Sequence, residues 1–126
     1  MMLVKRTAGC PAQIAVDGCW LREVLHPAQV ALDLPYSLAV AEVAVGARTY
    51  RHRLQHAEVY YLIEGCGRMH VDEASAEVAS GDAIWIPPGA AQWIENTGAA
   101  ILRFIALVSP PWAPEIDQRC DEVDSK

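Results

Sequence analysis

Residues 46–65, GARTYRHRLQHAEVYYLIEG, and residues 81–96, GDAIWIPPGAAQWIEN, decide how this chain folds. In the first, five residues separate Gly46 from His52, one separates His52 from Leu54, three separate Leu54 from Glu58 and six separate Glu58 from Gly65. In the second, five residues separate Gly81 from Pro87, one separates Pro87 from Gly89, two separate Gly89 from Gln92 and three separate Gln92 from Asn96. Gly81-Asp82 and Pro87-Pro88-Gly89 mark tight turns, because Gly supplies positive φ and Pro presets its own φ. Between the turns lie short runs of Val, Ile, Tyr and Trp, whose branched or bulky side chains suit a pleated strand. The 15 residues from Cys66 to Ser80 give room for two strands and a tight connection.

The same punctuation continues outward through Asp17-Gly18, Pro35 and Asn96-Thr97-Gly98. It predicts strands near 20–25, 37–45, 48–54, 57–63, 67–72, 75–79, 83–87, 91–96 and 100–108, an all-β sandwich or barrel. YSLAVAEVAV and AILRFIALV are apolar on both faces. A strand of that kind is covered on both sides, so one face lines the interior and the other meets a second layer or a second subunit. A homodimer is the expectation, two-fold pairs being the commonest closed assembly. From Pro110 onward three prolines and then acidic residues predict a tail that wraps the surface, with Trp112 anchoring it and its end fraying.

The chain has 126 residues, of which 52% are hydrophobic, enough for one domain with a continuous core. A formal net charge of −6 argues against a nucleic-acid partner, whose phosphates are held by clustered Lys and Arg. No membrane span is expected, since no apolar run approaches ~18 residues, and the start lacks an apolar secretory stretch. A cytoplasmic location is expected. Cys10, Cys19, Cys66 and Cys120 are scattered and read as free thiols, mostly buried fillers.

Alternation along an extended chain puts residues two apart on one face. It groups Arg48, Tyr50, His52 and Leu54, then Glu58, Tyr60 and Leu62, and then Gln92 and Ile94. The spacing of the two opening stretches resembles the paired signature motifs of the cupins, in particular the small single-domain, RmlC-like conserved barrels. The resemblance covers roughly residues 36–108. It implies a cupin-type double-stranded β-helix, a jelly-roll-like β-barrel, with residues 1–35 as a strand and loop extension and 109–126 as a C-terminal tail. It also implies a homodimer, and it turns His52, Glu58 and Gln92 towards one point inside the barrel.

In that family three His and one Glu hold a metal. Leu54 and Gln92 stand at two of the three His positions, so the resemblance implies a degenerate site. Imidazole nitrogens and a carboxylate suit iron, manganese, nickel, copper or zinc and leave positions open to substrate. Leu54 offers no donor, and Gln92 offers only an amide oxygen. His52, Glu58 and Gln92 are the candidate ligands for a divalent transition metal. His56 joins them if the turn between two strands carries it inward, although loops lie at the surface and favour an exposed turn histidine. His26, before Pro27, reads as a capping or surface histidine, and His70 as a cross-strand partner.

Glu58 also has a metal-free reading, in which apolar walls raise its pKa and suit it to proton transfer with His52. A buried His–Glu–Gln network that only satisfies itself is the plain structural alternative. Tyr50, Tyr60, Trp85 and Trp93 are candidate walls for a small ligand. Two functions stay open. One is a metal-assisted oxygenase, isomerase or lyase acting on a small polar organic molecule, with His52 and Glu58 as catalytic and ligating residues. The other is a metal-free domain that binds or senses a small molecule.

Overall fold

Runs in which every second side chain is buried make most of the strands in the computed structural model, which describes residues 1–120. In chain order they are β1 (Ala12–Ile14), β2 (Trp20–Leu25), β3 (Ser37–Val43), β4 (His52–Leu54), β5 (Ala57–Glu64) and β6 (Cys66–Val71). There follow β7 (Ala74–Ala79), β8 (Ala83–Ile86), β9 (Ala91–Asn96), β10 (Leu102–Ser109) and β11 (Asp117–Arg119). They form two antiparallel sheets, ordered β1-β2-β3-β10-β5-β8 and β11-β4-β9-β6-β7. Ala41, Leu62 and Phe104 from the first sheet share a buried cluster with Met69 and Ile94 from the second. The two inner faces therefore enclose one core, the all-β jelly-roll barrel expected from the sequence.

Alternation sets which side chains look inward. β10 buries Leu102, Phe104, Ala106 and Val108, and β5 buries Glu58, Tyr60 and Leu62. Phe104 and Tyr60 pack ring to ring at 4.3 Å between centroids, and burying such rings contributes most of the apolar gain. His52 and Leu54 of β4 and Gln92 and Ile94 of β9 face the same interior. His52 sits directly across from Gln92 in the β4–β9 ladder. Between β5 and β6 the chain turns at Gly65, with φ +88, where an added Cβ would lie 2.5 Å from the Ile101 carbonyl oxygen.

Three expectations need correction. The predicted strand 48–54 begins only at His52. The Tyr50 amide donates to the Asp17 carbonyl, while Ala47 and Thr49 stay bonded to β9 and Arg48 bridges Glu95. Between that bridge and the His52–Gln92 pair this side has one residue more than β9, which breaks the parity of Arg48 and Tyr50 with His52. Thr49 is buried in place of Tyr50 and accepts the Ile94 amide on its hydroxyl at 2.9 Å. Two strands were also missing from the sequence reading: β1, which pairs with β2, and β11, which pairs with β4. Each has three residues, too few for a period to show.

The tail does wrap the body. Trp112 donates its amide to Ser37 Oγ at 2.9 Å, and a 3₁₀ turn over Pro114–Ile116 leads into β11. The expected fraying falls on residues 121–126, outside the described ones. Cys10 and Cys19 are buried free thiols, Cys66 is an exposed one, and Cys120 is buried. No helix among the described residues is long and apolar enough to cross a membrane.

Candidate functional site

The barrel core stops short of filling the interior and leaves a cavity of about 310 Å³. Leu54, Tyr60, Phe104 and Ala106 give it apolar walls, while Asp17, His52, Glu58 and Asp117 bring titratable groups to it. Two of these four come from the barrel motifs, one from the segment before them and one from the tail.

His52 is 3% exposed and lies between two carboxylates. Its Nδ1 is 2.9 Å from Asp117 Oδ1. The other Asp117 oxygen accepts the Trp112 indole N–H at 2.8 Å, so the carboxylate is fixed from both sides. A donated Nδ1–H leaves Nε2 facing the cavity. Nε2 lies 3.5 Å from Asp17 Oδ2, within ion-pair reach, yet it has no hydrogen-bond partner in the structure. Burial disfavours the imidazolium, but the Asp117 hydrogen bond and the charges of Asp17, Asp117 and Glu58 outweigh it and raise the His52 pKa.

Asp17 reaches the cavity because the Asp17-Gly18 turn folds over it. Its Oδ1 accepts the Cys19 amide at 3.1 Å. Gly18, with φ +88, lies under Tyr50 so closely that a Cβ there would sit 2.9 Å from the ring. That contact fixes the loop and explains the glycine.

Glu58 is 6% exposed, and its Oε1 has no hydrogen-bond partner. Burial drives its pKa up to about 8; the His52 charge and a hydrogen bond from Gln92 oppose this, and the charge of Asp17 adds to it. Gln92 is held on its other side by Tyr60, whose hydroxyl donates to Oε1 at 3.1 Å. Burial likewise pushes the thiol of Cys19, another wall residue, well above its usual range.

Of the residues singled out in the sequence, His52 and Glu58 face the cavity, and Gln92 stands behind them, buried and bound to both Tyr60 and Glu58. His56 is not brought into this group. Its ring Nδ1–H donates to the Pro110 carbonyl at 2.9 Å, because the turn between β4 and β5 faces the tail. His26 caps the loop, accepting the Ala28 amide on Nδ1 at 3.0 Å and binding the Trp112 carbonyl through Nε2 at 2.7 Å. His70 stacks on its cross-strand partner Trp93 at 4.2 Å and bonds Glu95. Of the four aromatic wall candidates, Tyr60 lines the cavity; Tyr50 and Trp85 are exposed, and Trp93 is taken up by His70. Asp17 and Asp117 escaped the sequence reading. Asp17 could be seen only as a turn former, and Asp117 lies in a tail with no periodicity.

The Cupin domain family model matches residues 39–108, more than half of the chain. This chain belongs to the cupin family. An uncharacterized protein of Methanocaldococcus jannaschii, MJ1618, is 40% identical to this cupin over 103 residues, covering 81% of this chain and 82% of its own. Among solved structures, the polyketide cyclase RemF from Streptomyces resistomycificus matches with a TM-score of 0.78 at 19% identity, covering 94% of this chain and 85% of its own. A predicted oxalate decarboxylase from Thermotoga maritima matches with a TM-score of 0.75 at 20% identity, over 86% and 99% of the two chains. At those identities the structural likeness shows the fold alone.

The cupin family implies a metal, and the side chains present do not fit one. Leu54 is a wall residue without a donor, His56 is turned to the tail, and the Gln92 amide oxygen is occupied by Tyr60. Asp17 leans towards the one free imidazole nitrogen. Among the described residues, no three His, Cys, Asp or Glu side chains form a group that could hold a metal ion.

Proposed function

We propose that this cupin admits a small, largely apolar organic molecule into its barrel and transfers a proton on it with Glu58 and His52, without a metal. One observation carries this reading. Two deeply buried polar atoms, Glu58 Oε1 and His52 Nε2, lack hydrogen-bond partners and belong to residues lining the same cavity. An unmade hydrogen bond on a buried group costs ~1–3 kcal/mol, and a bound molecule that meets both atoms recovers that cost.

Near neutral pH Glu58 carries its proton, since its pKa stands at about 8. It acts as the general acid, while the neutral form of His52, which its raised pKa makes the smaller share, takes a proton on Nε2 from the bound molecule and Asp117 steadies the imidazolium that forms. The pair can run in the opposite sense from the opposite protonation state. Reactions that move a proton between two sites of one molecule, such as isomerisation or elimination, suit this pair. The apolar walls keep bulk water away from the transfer.

Solvent-deuterium exchange tests the proposal. Small aryl ketones incubated with the full chain in D₂O should gain deuterium next to the carbonyl, and Glu58→Gln and His52→Ala should each abolish the gain. Binding of such probes with no exchange would leave a sensing domain and overturn catalysis. Elemental analysis tests the metal-free part. A stoichiometric transition metal, acquired after supplementation with iron, manganese, nickel, copper and zinc and lost in both variants, would overturn it.

The proposal includes assembly and location. The outer face of the first sheet, to which the doubly apolar β3 and β10 belong, exposes Trp20, Tyr61, Ile63 and Trp85 on β2, β5 and β8. A second copy of the chain is the occupant we assign to it. Free thiols, Cys10 and Cys19 buried and Cys66 exposed, support a reducing, cytoplasmic setting.

A further inference from the structure

The charge of the cavity wall narrows what can enter it. Four carboxyl groups line the cavity: Asp17, Glu23, Glu58 and Asp117, of which burial raises the pKa of Glu23 and keeps Glu58 protonated near neutral pH. Among the described lining residues none is Lys or Arg, and His52 is the only imidazole. Asp117 and Asp17 flank that imidazole on opposite nitrogens, at 2.9 and 3.5 Å. Any positive charge on His52 is therefore already answered from both sides, and none is left over for an incoming anion.

Hydrogen-bonding capacity points the same way. Glu58 Oε1 and His52 Nε2 are buried and without partners. In neutral His52 the Nδ1–H is given to Asp117 and Nε2 accepts; in the imidazolium Nε2–H turns to Asp17 Oδ2, which accepts in either case. A carboxylate or phosphate head would bring acceptors against acceptors and negative charge against carboxylates at low dielectric, where like charges cost most. A hydroxyl or amine head donates to the Asp17 carboxylate and to Nε2 of neutral His52, and a hydroxyl also accepts from the protonated Glu58 carboxyl. In the sheet that carries Glu58, Phe104, Ala39, Ala106 and Val108 offer an apolar seat.

We infer that this cavity selects a molecule with an apolar body and a neutral or cationic, hydrogen-bond-donating head, and that it turns away carboxylates, phosphates and sulfates. The inference rests on the metal-free reading above, since a divalent cation at His52 would reverse the sign of the site.

Three probes that share one body test it: benzyl alcohol, benzylammonium and benzoate, titrated into the full chain at neutral pH. The readout is the indole N–H resonance of Trp112, which lines the cavity and bonds Asp117; a Trp112→Phe variant assigns it. The alcohol and the ammonium should shift this resonance, with benzoate at least ~10-fold weaker. Asp17→Asn should narrow the gap, and Glu23→Gln gives a second, less buried variant with the same expected direction. Benzoate binding as tightly as the alcohol would overturn the inference and leave the proton-transfer reading standing. A preference for benzoate that appears only with added zinc or manganese would overturn the metal-free reading itself. Failure of all three probes would overturn the apolar seat, and both readings with it.

Discussion

Asp117 Oδ1 lies 2.9 Å from Nδ1 of His52, joining the strand that follows the barrel to the histidine of its first motif. The contact selects the His52 tautomer, aims Nε2 at the cavity and raises the basicity of the ring, as a carboxylate behind an imidazole does. Asp117→Asn keeps the shape and removes the charge. The His52 pKa should fall, because burial then meets less opposition, and proton NMR titration of the imidazole will read it. A His52 pKa unmoved by Asp117→Asn would mean that the pair is not coupled. Asp117→Ala also strips the Trp112 indole of its acceptor and should cost ~1–3 kcal/mol in denaturant unfolding.

Stability should fall as pH rises. Glu58 titrates near 4.5 in the unfolded chain and at about 8 in the fold. Between those values the folded protein keeps a proton that the unfolded chain has released. The contribution is therefore complete below the unfolded pKa and is lost progressively as pH climbs to the folded one. His52, also raised, acts in the same sense. The loss from Glu58 is of the order of several kcal/mol, at ~1.4 kcal/mol per pKa unit. Glu58→Gln should flatten the decline, so that its Tm gains on the wild type as pH rises from 4.5 to about 8. Parallel Tm curves for the two proteins would contradict the assigned burial of the carboxyl.

Gly65 and Gly46 should respond differently to alanine. Both have positive φ, +88 and +77, but an added Cβ at Gly65 meets the Ile101 carbonyl at 2.5 Å while at Gly46 nothing lies within 4 Å. Gly46→Ala should cost ~1 kcal/mol from backbone strain alone. Gly65→Ala should cost distinctly more, since backbone must move. Equal denaturation midpoints would show that the β5–β6 turn yields easily.

The exposed face of the first sheet should hold two chains together. Light scattering on the eluting wild-type protein should give twice the chain mass, and Trp85→Glu with Tyr61→Glu should give the single-chain mass. Those residues are 65% and 44% exposed, so the substitutions leave the core intact. A monomeric wild type would remove the proposed pairing.

The barrel was legible in the sequence because its turns are written in glycine and proline and its strands alternate. Glu58, Tyr60 and Leu62 were grouped by parity alone, and β5 buries all three. Tyr50 shows where parity fails: its amide turns to Asp17, and one extra residue between Arg48 and His52 shifts the register against β9. His56 shows the limit of reading across a turn. The candidate site was legible only in half, since its two aspartates arrive through loop and tail, whose paths follow from tertiary contacts such as Trp112 on Ser37. No local pattern announces such contacts.

Asp17 and Asp117 enter from opposite ends of the chain and meet at the same imidazole. A protein trimmed to residues 39–108, the span shared with the family, would lose β1, β2 and β11 together with the electrostatic setting of His52. Exchange of a short segment at either end could rewrite the chemistry of the barrel without altering any residue of its central strands.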